Sequence, residues 1–275
     1  MLIDTHCHLD AVEFAADRDD VIRRAGCEGV SAIVIPAVDR GNCDTVHELA
    51  WRFAGGYYAL GIHPIAVPDA QEDDLEWLEE RLAAALEDER FVGVGEIGLD
   101  FFLPALKAPA MREKQAHFFD AQLKMAERLS LPVILHVRRS QDDILKYLRC
   151  HPGVRGIAHA FNGSFQQAQQ FIEQGFVLGV GGAMTFDRAL QIRRLAARLP
   201  LEALVLETDA PDIPPAWLGQ SGRQTPRNEP AQVARIGREL ARLRGVSYEQ
   251  VIEATGRNAQ RALPRLSVKR AAREA

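Results

Sequence analysis

Short apolar runs alternate along the chain with longer stretches in which apolar residues recur every three or four positions. The short runs Leu2 to His8, Ala32 to Val38, Tyr57 to His63, Phe91 to Ile97, Pro132 to Arg138, Gly156 to Phe161, Phe176 to Gly182 and Leu204 to Asp209 read as β-strands. Helical periodicity marks stretches between them, such as Asp73 to Leu86, Met111 to Leu129, Gln141 to Leu148 and Ala189 to Leu199. Strand then helix, repeated eight times, predicts an α/β protein of the (β/α)8 TIM-barrel type. A doubly wound open sheet is the rival that strand count alone does not exclude. After the eighth strand an irregular segment, APDIPPAWLGQSGRQTPRNEP, leads into extra C-terminal helices over about Ala231 to Leu243 and Tyr248 to Leu263. One domain over residues 1–266 and a charged tail over 267–275 follow from this layout.

Composition narrows the class without naming a function. The 275 residues, 47% hydrophobic and 26% charged, are ordinary globular material with enough apolar content for a large core. No basic segment leads into an apolar stretch at the N-terminus, and no run of about 18 apolar residues occurs anywhere, so the expectation is a cytoplasmic protein with no membrane contact. Cys7, Cys27, Cys43 and Cys150 form no Cys-x-x-Cys pair and read as reduced thiols. A net charge of −5 argues against a protein that coats duplex DNA, yet leaves room for a nucleic-acid enzyme with a locally positive cleft.

Chemistry enters with the first ten residues, MLIDTHCHLD. On a strand, His6 and His8 point to one face and Cys7 to the other, making a two-imidazole clamp for a metal. A lone His-x-His pair is a weak signal, found more often in packing or on the surface than at a metal, so the positions of other candidate ligands decide its meaning. His63 ends strand three, Glu96 lies in strand four, and His136, His159 and Asp209 end strands five, six and eight. In a barrel these ends share one mouth, where such folds keep their chemistry. His47, His117 and His151 fall in helical or loop patterns and are read as structural.

Four imidazoles (His6, His8, His136, His159) and two carboxylates (Glu96, Asp209) exceed the three protein ligands of a mononuclear catalytic zinc site, so two divalent ions (Mg²⁺, Mn²⁺ or Zn²⁺) per chain fit better. Glu96, between glycines in VGVGEIGLD, is the natural bridge, and the absence of lysine there disfavours a carbamylated-lysine bridge. Strand parity puts Asp4 inward with His6 and His8, and Glu207 inward with Asp209. Both become candidate partners for ligand imidazoles.

Taken in order, IDTHCHLD, ALGIHP, VGEIGLD, PVILHVR, HAFNGS, LGVGG, LETDAPD and RNEP resemble the motifs of the TatD family of metal-dependent deoxyribonucleases, across nearly the whole chain. The resemblance implies a distorted TIM barrel with two divalent cations, one held by His6, His8, Glu96 and Asp209 and the other by Glu96, His136 and His159. It also implies phosphodiester hydrolysis with His63 near the phosphate. Val137, Ala160, Asn162 and Asp212 depart from the commonest family wording, as does SGRQTP before RNEP. None is a ligand.

The mechanism expected on that basis uses a hydroxide activated by two metals, with Asp209 as both ligand and general base. Arg138, Arg223 and Arg227 are candidate phosphate contacts. The leading reading is 3′ to 5′ exonuclease action by a monomer on single-stranded DNA. An esterase, amidase or lactonase, for example one acting on aminoacyl-tRNA esters, is the alternative. A non-catalytic binding barrel is disfavoured by the complete ligand set.

Overall fold

The computed structural model describes residues 1–219 and 226–268. Eight strands pair in parallel in chain order: β1 (Leu2–Asp4), β2 (Val30–Pro36), β3 (Gly56–Leu60), β4 (Phe91–Asp100), β5 (Val133–Arg138), β6 (Gly156–Ala158), β7 (Phe176–Val180) and β8 (Leu204–Leu206). The edge is closed from the β8 side. Thr5 N–H donates to Leu206 O at 3.1 Å, Asp209 N–H to His6 O at 2.9 Å and His8 N–H to Ala210 O at 2.8 Å. A barrel results, not an open sheet.

Helices α1 (Arg18–Cys27), α2 (Cys43–Trp51), α3 (Glu72–Ala85), α4 (Pro109–Arg128), α5 (Gln141–Cys150), α6 (Phe165–Glu173) and α7 (Leu190–Arg198) fill the crossovers. The C-terminal pair is α8 (Val233–Arg244) and α9 (Tyr248–Ala262). Reciprocal caps start α3 (Gln71 with Asp74), α6 (Ser164 with Gln167) and α9 (Ser247 with Gln250), satisfying backbone donors left free at a first turn. Helix α8 stops at Gly245, whose φ of +66° is the left-handed cap that glycine adopts without a Cβ penalty.

Alternating strand residues divide into two apolar sets. Ile3, Val34, Ile134, Ile157, Val177 and Val205 join one cluster inside the barrel, while Ile35, Leu60, Leu135, Leu178 and Leu206 pack outward against the helices. Leu263 and Leu266 belong to the inner cluster, and the Arg265 guanidinium donates to the carbonyls of Leu86, Asp88 and Phe91. The end of the described chain therefore plugs the barrel beside the start of β4, leaving the opposite mouth for chemistry.

Six of the eight strands stop short of the C-terminal ends that the apolar runs suggest; β5 ends at Arg138 as expected, and β4 continues past Ile97 to Asp100. The ladder of β1 stops at Asp4, so His6 and His8 lie beyond it. This changes the parity expected from an uninterrupted strand. Ile3 faces the barrel interior, and strict alternation would send His6 outward. A bend at Thr5, fixed by its N–H and Oγ1 on Leu206 O, resets the alternation and turns both imidazoles into the mouth. Asp4 is consequently not on their face. It accepts from Thr208 N at 2.9 Å and Thr208 Oγ1 at 2.6 Å, tying β1 to the segment after β8.

His151, just past α5, is buried between two carboxylates of α4, with Nε2 3.0 Å from Asp120 and Nδ1 3.0 Å from Glu127. Burial opposes its protonation, but the two carboxylates outweigh burial and raise its pKa above the ordinary value. A raised folded pKa means that the stabilisation is complete below the unfolded value of about 6.5 and is lost as pH rises through the folded value. The melting-temperature gap between chelated wild type and His151→Gln should therefore be widest near pH 5.5 and close toward pH 9. A gap independent of pH would show that the imidazolium is not what joins α5 to α4.

Candidate metal centre

Glu96 is the hub of the mouth. Its carboxylate is 1% exposed, and its two oxygens address separate sets of imidazoles. Oε2 lies 3.0 Å from His6 Nε2 and 3.4 Å from His8 Nε2. Oε1 lies 2.9 Å from His136 Nδ1, 3.0 Å from His159 Nε2 and 3.4 Å from His63 Nε2. Burial opposes its ionisation, but His63, His6 and His159 overcome that and hold it well below the usual carboxylate range. The anion is thus present at any working pH.

Asp209 completes the first set. Its Oδ1 is 3.6 Å from His6 Nε2 and 3.7 Å from His8 Nε2, and those two nitrogens are 3.3 Å apart. The carboxylate separations are long for hydrogen bonds. They match the roughly 3.3–3.6 Å between ligand atoms placed tetrahedrally about 2.0–2.2 Å from one ion. Three groupings of donors close enough to share a cation recur among the described residues: His6, His8, Asp209; His6, Glu96, His159; and His63, Glu96, His136. The Nδ1 atoms of His6, His8 and His159 are buried outside hydrogen-bond distance of any protein group, and each of these imidazoles directs Nε2 at the acidic centre. The donor set fits divalent transition ions.

His63 differs from the other imidazoles. Its Nδ1 accepts the Ile65 N–H at 2.9 Å, which assigns the proton of the neutral ring to Nε2. Burial pulls its pKa down to about 4, so the ring is neutral near pH 7. An Nε2–H beside Glu96 Oε1 is a hydrogen-bond donor rather than a metal-binding lone pair.

Two buried carboxylates brace the cluster. Asp100, which the reading of the sequence passed over, puts Oδ2 3.2 Å from His136 Nε2, leaving Nδ1 toward Glu96. The available signal was its place at the end of β4, beside Arg138 of β5 in register. Glu207 accepts from Ala160 N at 2.5 Å and stands 3.6 Å from His159 Nδ1. Gly179 makes room for it, since a Cβ there would lie 2.1 Å from Glu207 Oε2.

The arginines separate. Arg138 is half exposed at the mouth, its Nη1 3.7 Å from Asp100. Arg227 donates to both oxygens of Asp17, at 2.7 and 2.8 Å, and to Glu13 O, and stacks on Phe14. Its guanidinium is committed to the chain around the start of α1, which removes it from the expected phosphate contacts. Arg223 lies outside the described residues.

A family model described as TatD related DNase matches residues 3–264. The chain belongs to this family. Among curated relatives of this TatD-family chain, the uncharacterized metal-dependent hydrolase YjjV of Escherichia coli K12 is 40% identical over 253 residues, covering 92% of the chain and 93% of that protein. Human deoxyribonuclease TATDN3 is 30% identical over 270 residues, covering 96% and 95%. The crystal structure of the E. coli K12 TatD homologue YjjV superposes with a TM-score of 0.87 at 38% identity, covering 96% and 98%.

Proposed function

We propose that this metal-dependent hydrolase cleaves phosphodiesters at the 3′ end of single-stranded DNA with two divalent cations at the mouth of the barrel. The observation that carries the reading is the division of labour at Glu96, whose two oxygens face two different groups of imidazoles. His6, His8, Asp209 and Glu96 Oε2 would hold one ion. Glu96 Oε1, His136 and His159 would hold the other. Bound there, such ions acidify water and polarise a phosphoryl oxygen.

The chain's own residues supply the rest. Asp209 is placed to take a proton, because burial above all raises its pKa to about 6, near the range in which a general base works best. His63 offers Nε2–H to a phosphate oxygen, and Arg138 offers positive charge at the rim. Asp100 and Glu207 keep His136 and His159 aimed inward. The name of TATDN3 and its match over nearly the whole chain support DNA as the substrate class. With a net charge of −5, recognition should be limited to a few nucleotides near a terminus.

Chelated protein should be inactive and should regain activity on reloading with Mg²⁺, Mn²⁺ or Zn²⁺, taking up about two ions per chain by elemental analysis. End-labelled single-stranded DNA should release mononucleotides faster than duplex. Rapid cutting of circular DNA would replace the exonuclease reading with an endonuclease one. Turnover of small esters or lactones with no DNA cleavage would overturn the reading.

A further inference from the structure

We propose that Phe102, flanked by Arg138 and Arg139, is a stacking platform for a base next to the scissile phosphate. This rests on the reading of the chain as a DNA phosphodiesterase. Five large hydrophobic side chains are exposed among the described residues: Val12, Trp51, Ile65, Phe102 and Leu190. Four of them lie between a strand's C-terminal end and the first turn of the next helix, after β1, β3, β4 and β7. That is the face of the barrel that carries the metal-ligand cluster. Trp51, at the other end of α2, donates its indole N–H to Asp88 and lies under Arg90. Of the four at the mouth, Phe102 alone is aromatic, and it is 37% exposed.

Cations surround that ring. The Arg138 guanidinium carbon is 4.1 Å from the ring centroid, that of Arg139 4.7 Å, and Lys107 Nζ 5.9 Å. Three positive side chains converging on one exposed aromatic, in a chain of net charge −5, form a local site for a phosphate beside a π face. Arg139 is held at φ +55°, a conformation costly for a residue with a Cβ.

The platform is fixed to the metal centre through one carboxylate. Asp100 Oδ1 accepts the N–H groups of Phe102 at 2.7 Å and Leu103 at 3.0 Å, while Oδ2 lies 3.2 Å from His136 Nε2. The loop bearing the ring and the imidazole facing Glu96 therefore share an anchor. A nucleotide whose phosphate reaches the cluster has its neighbouring base within reach of Phe102, and stacking of this kind accepts any base.

The test measures KM and kcat of the metal-loaded enzyme on a short oligothymidylate, with melting curves of each variant as a check on folding. Phe102→Ala and Phe102→Leu should each raise KM about tenfold, whereas Phe102→Tyr and Phe102→Trp should stay within about twofold of wild type. Leucine keeps apolar bulk without a π face, so its loss with tyrosine's retention separates stacking from packing. Removing the base at one of the last two positions of the strand should weaken binding to wild type and erase its advantage over Phe102→Ala. Equal KM values for wild type, Phe102→Ala and Phe102→Leu, with DNA still cleaved, would overturn the platform and leave the phosphodiesterase reading standing. Absence of DNA cleavage by the wild type would overturn both.

Discussion

Glu96→Gln should lose metal and activity together. The glutamine keeps the shape of the side chain but replaces a buried anion with a neutral amide at the point where five imidazole nitrogens converge within 3.4 Å. Only one of its terminal atoms remains an acceptor, so it cannot face both sets of donors as the carboxylate does. Carboxylates that merely orient metal ligands cost roughly 10–100-fold when removed, and a group addressing both sites should exceed that range. Turnover should fall by more than about 100-fold, and elemental analysis after incubation with excess Mn²⁺ should find about one ion per chain or fewer where wild type holds about two. Two tightly held ions in the variant, with turnover near that of wild type, would show that Glu96 is not the link between the sites.

Asp209→Asn should separate chemistry from metal content. Asp209 has a backbone φ of +57°, a left-handed conformation in which asparagine is among the few tolerated residues, so the substitution preserves backbone as well as side-chain shape. The amide can still offer an oxygen where Oδ1 now stands, 3.6 and 3.7 Å from the two Nε2 atoms of His6 and His8. It has no basic carboxylate to take a proton. Turnover should fall roughly 10²–10⁴-fold, the usual worth of a positioned general base, while occupancy falls less than in Glu96→Gln. Burial, reinforced by Glu96 and Glu207, raises the Asp209 pKa to about 6 against the opposing effect of His159 and His8. Protons therefore compete with the cation for this carboxylate as pH falls through that value, and metal uptake by the chelated protein should weaken below about pH 6. In Asp209→Asn that part of the pH dependence should disappear. A variant with near-native turnover would place the base elsewhere.

Fold class was legible in the sequence because its determinants are local. Apolar runs of strand length alternate with helical periodicity, and right-handed βα crossovers leave few ways to stack such units. The same regularity marked His6, His8, His63, Glu96, His136, His159 and Asp209 as residues at one mouth, since polar residues at or just past the C-terminal end of an apolar run fall on the same side of the barrel. Tertiary structure decided what those residues meet. The bend at Thr5, fixed by Leu206 O about two hundred positions away, turns His6 and His8 inward and withdraws Asp4 to hold Thr208 instead. Asp100 is an unremarked acid in the sequence until β4–β5 pairing brings it to His136. Arg227 looks available for phosphate until the fold supplies Asp17. Sequence spacing sets which residues reach a common face, because side-chain direction repeats with the backbone. Partners depend on hydrogen bonds and charges closed across long loops, and no local pattern encodes those.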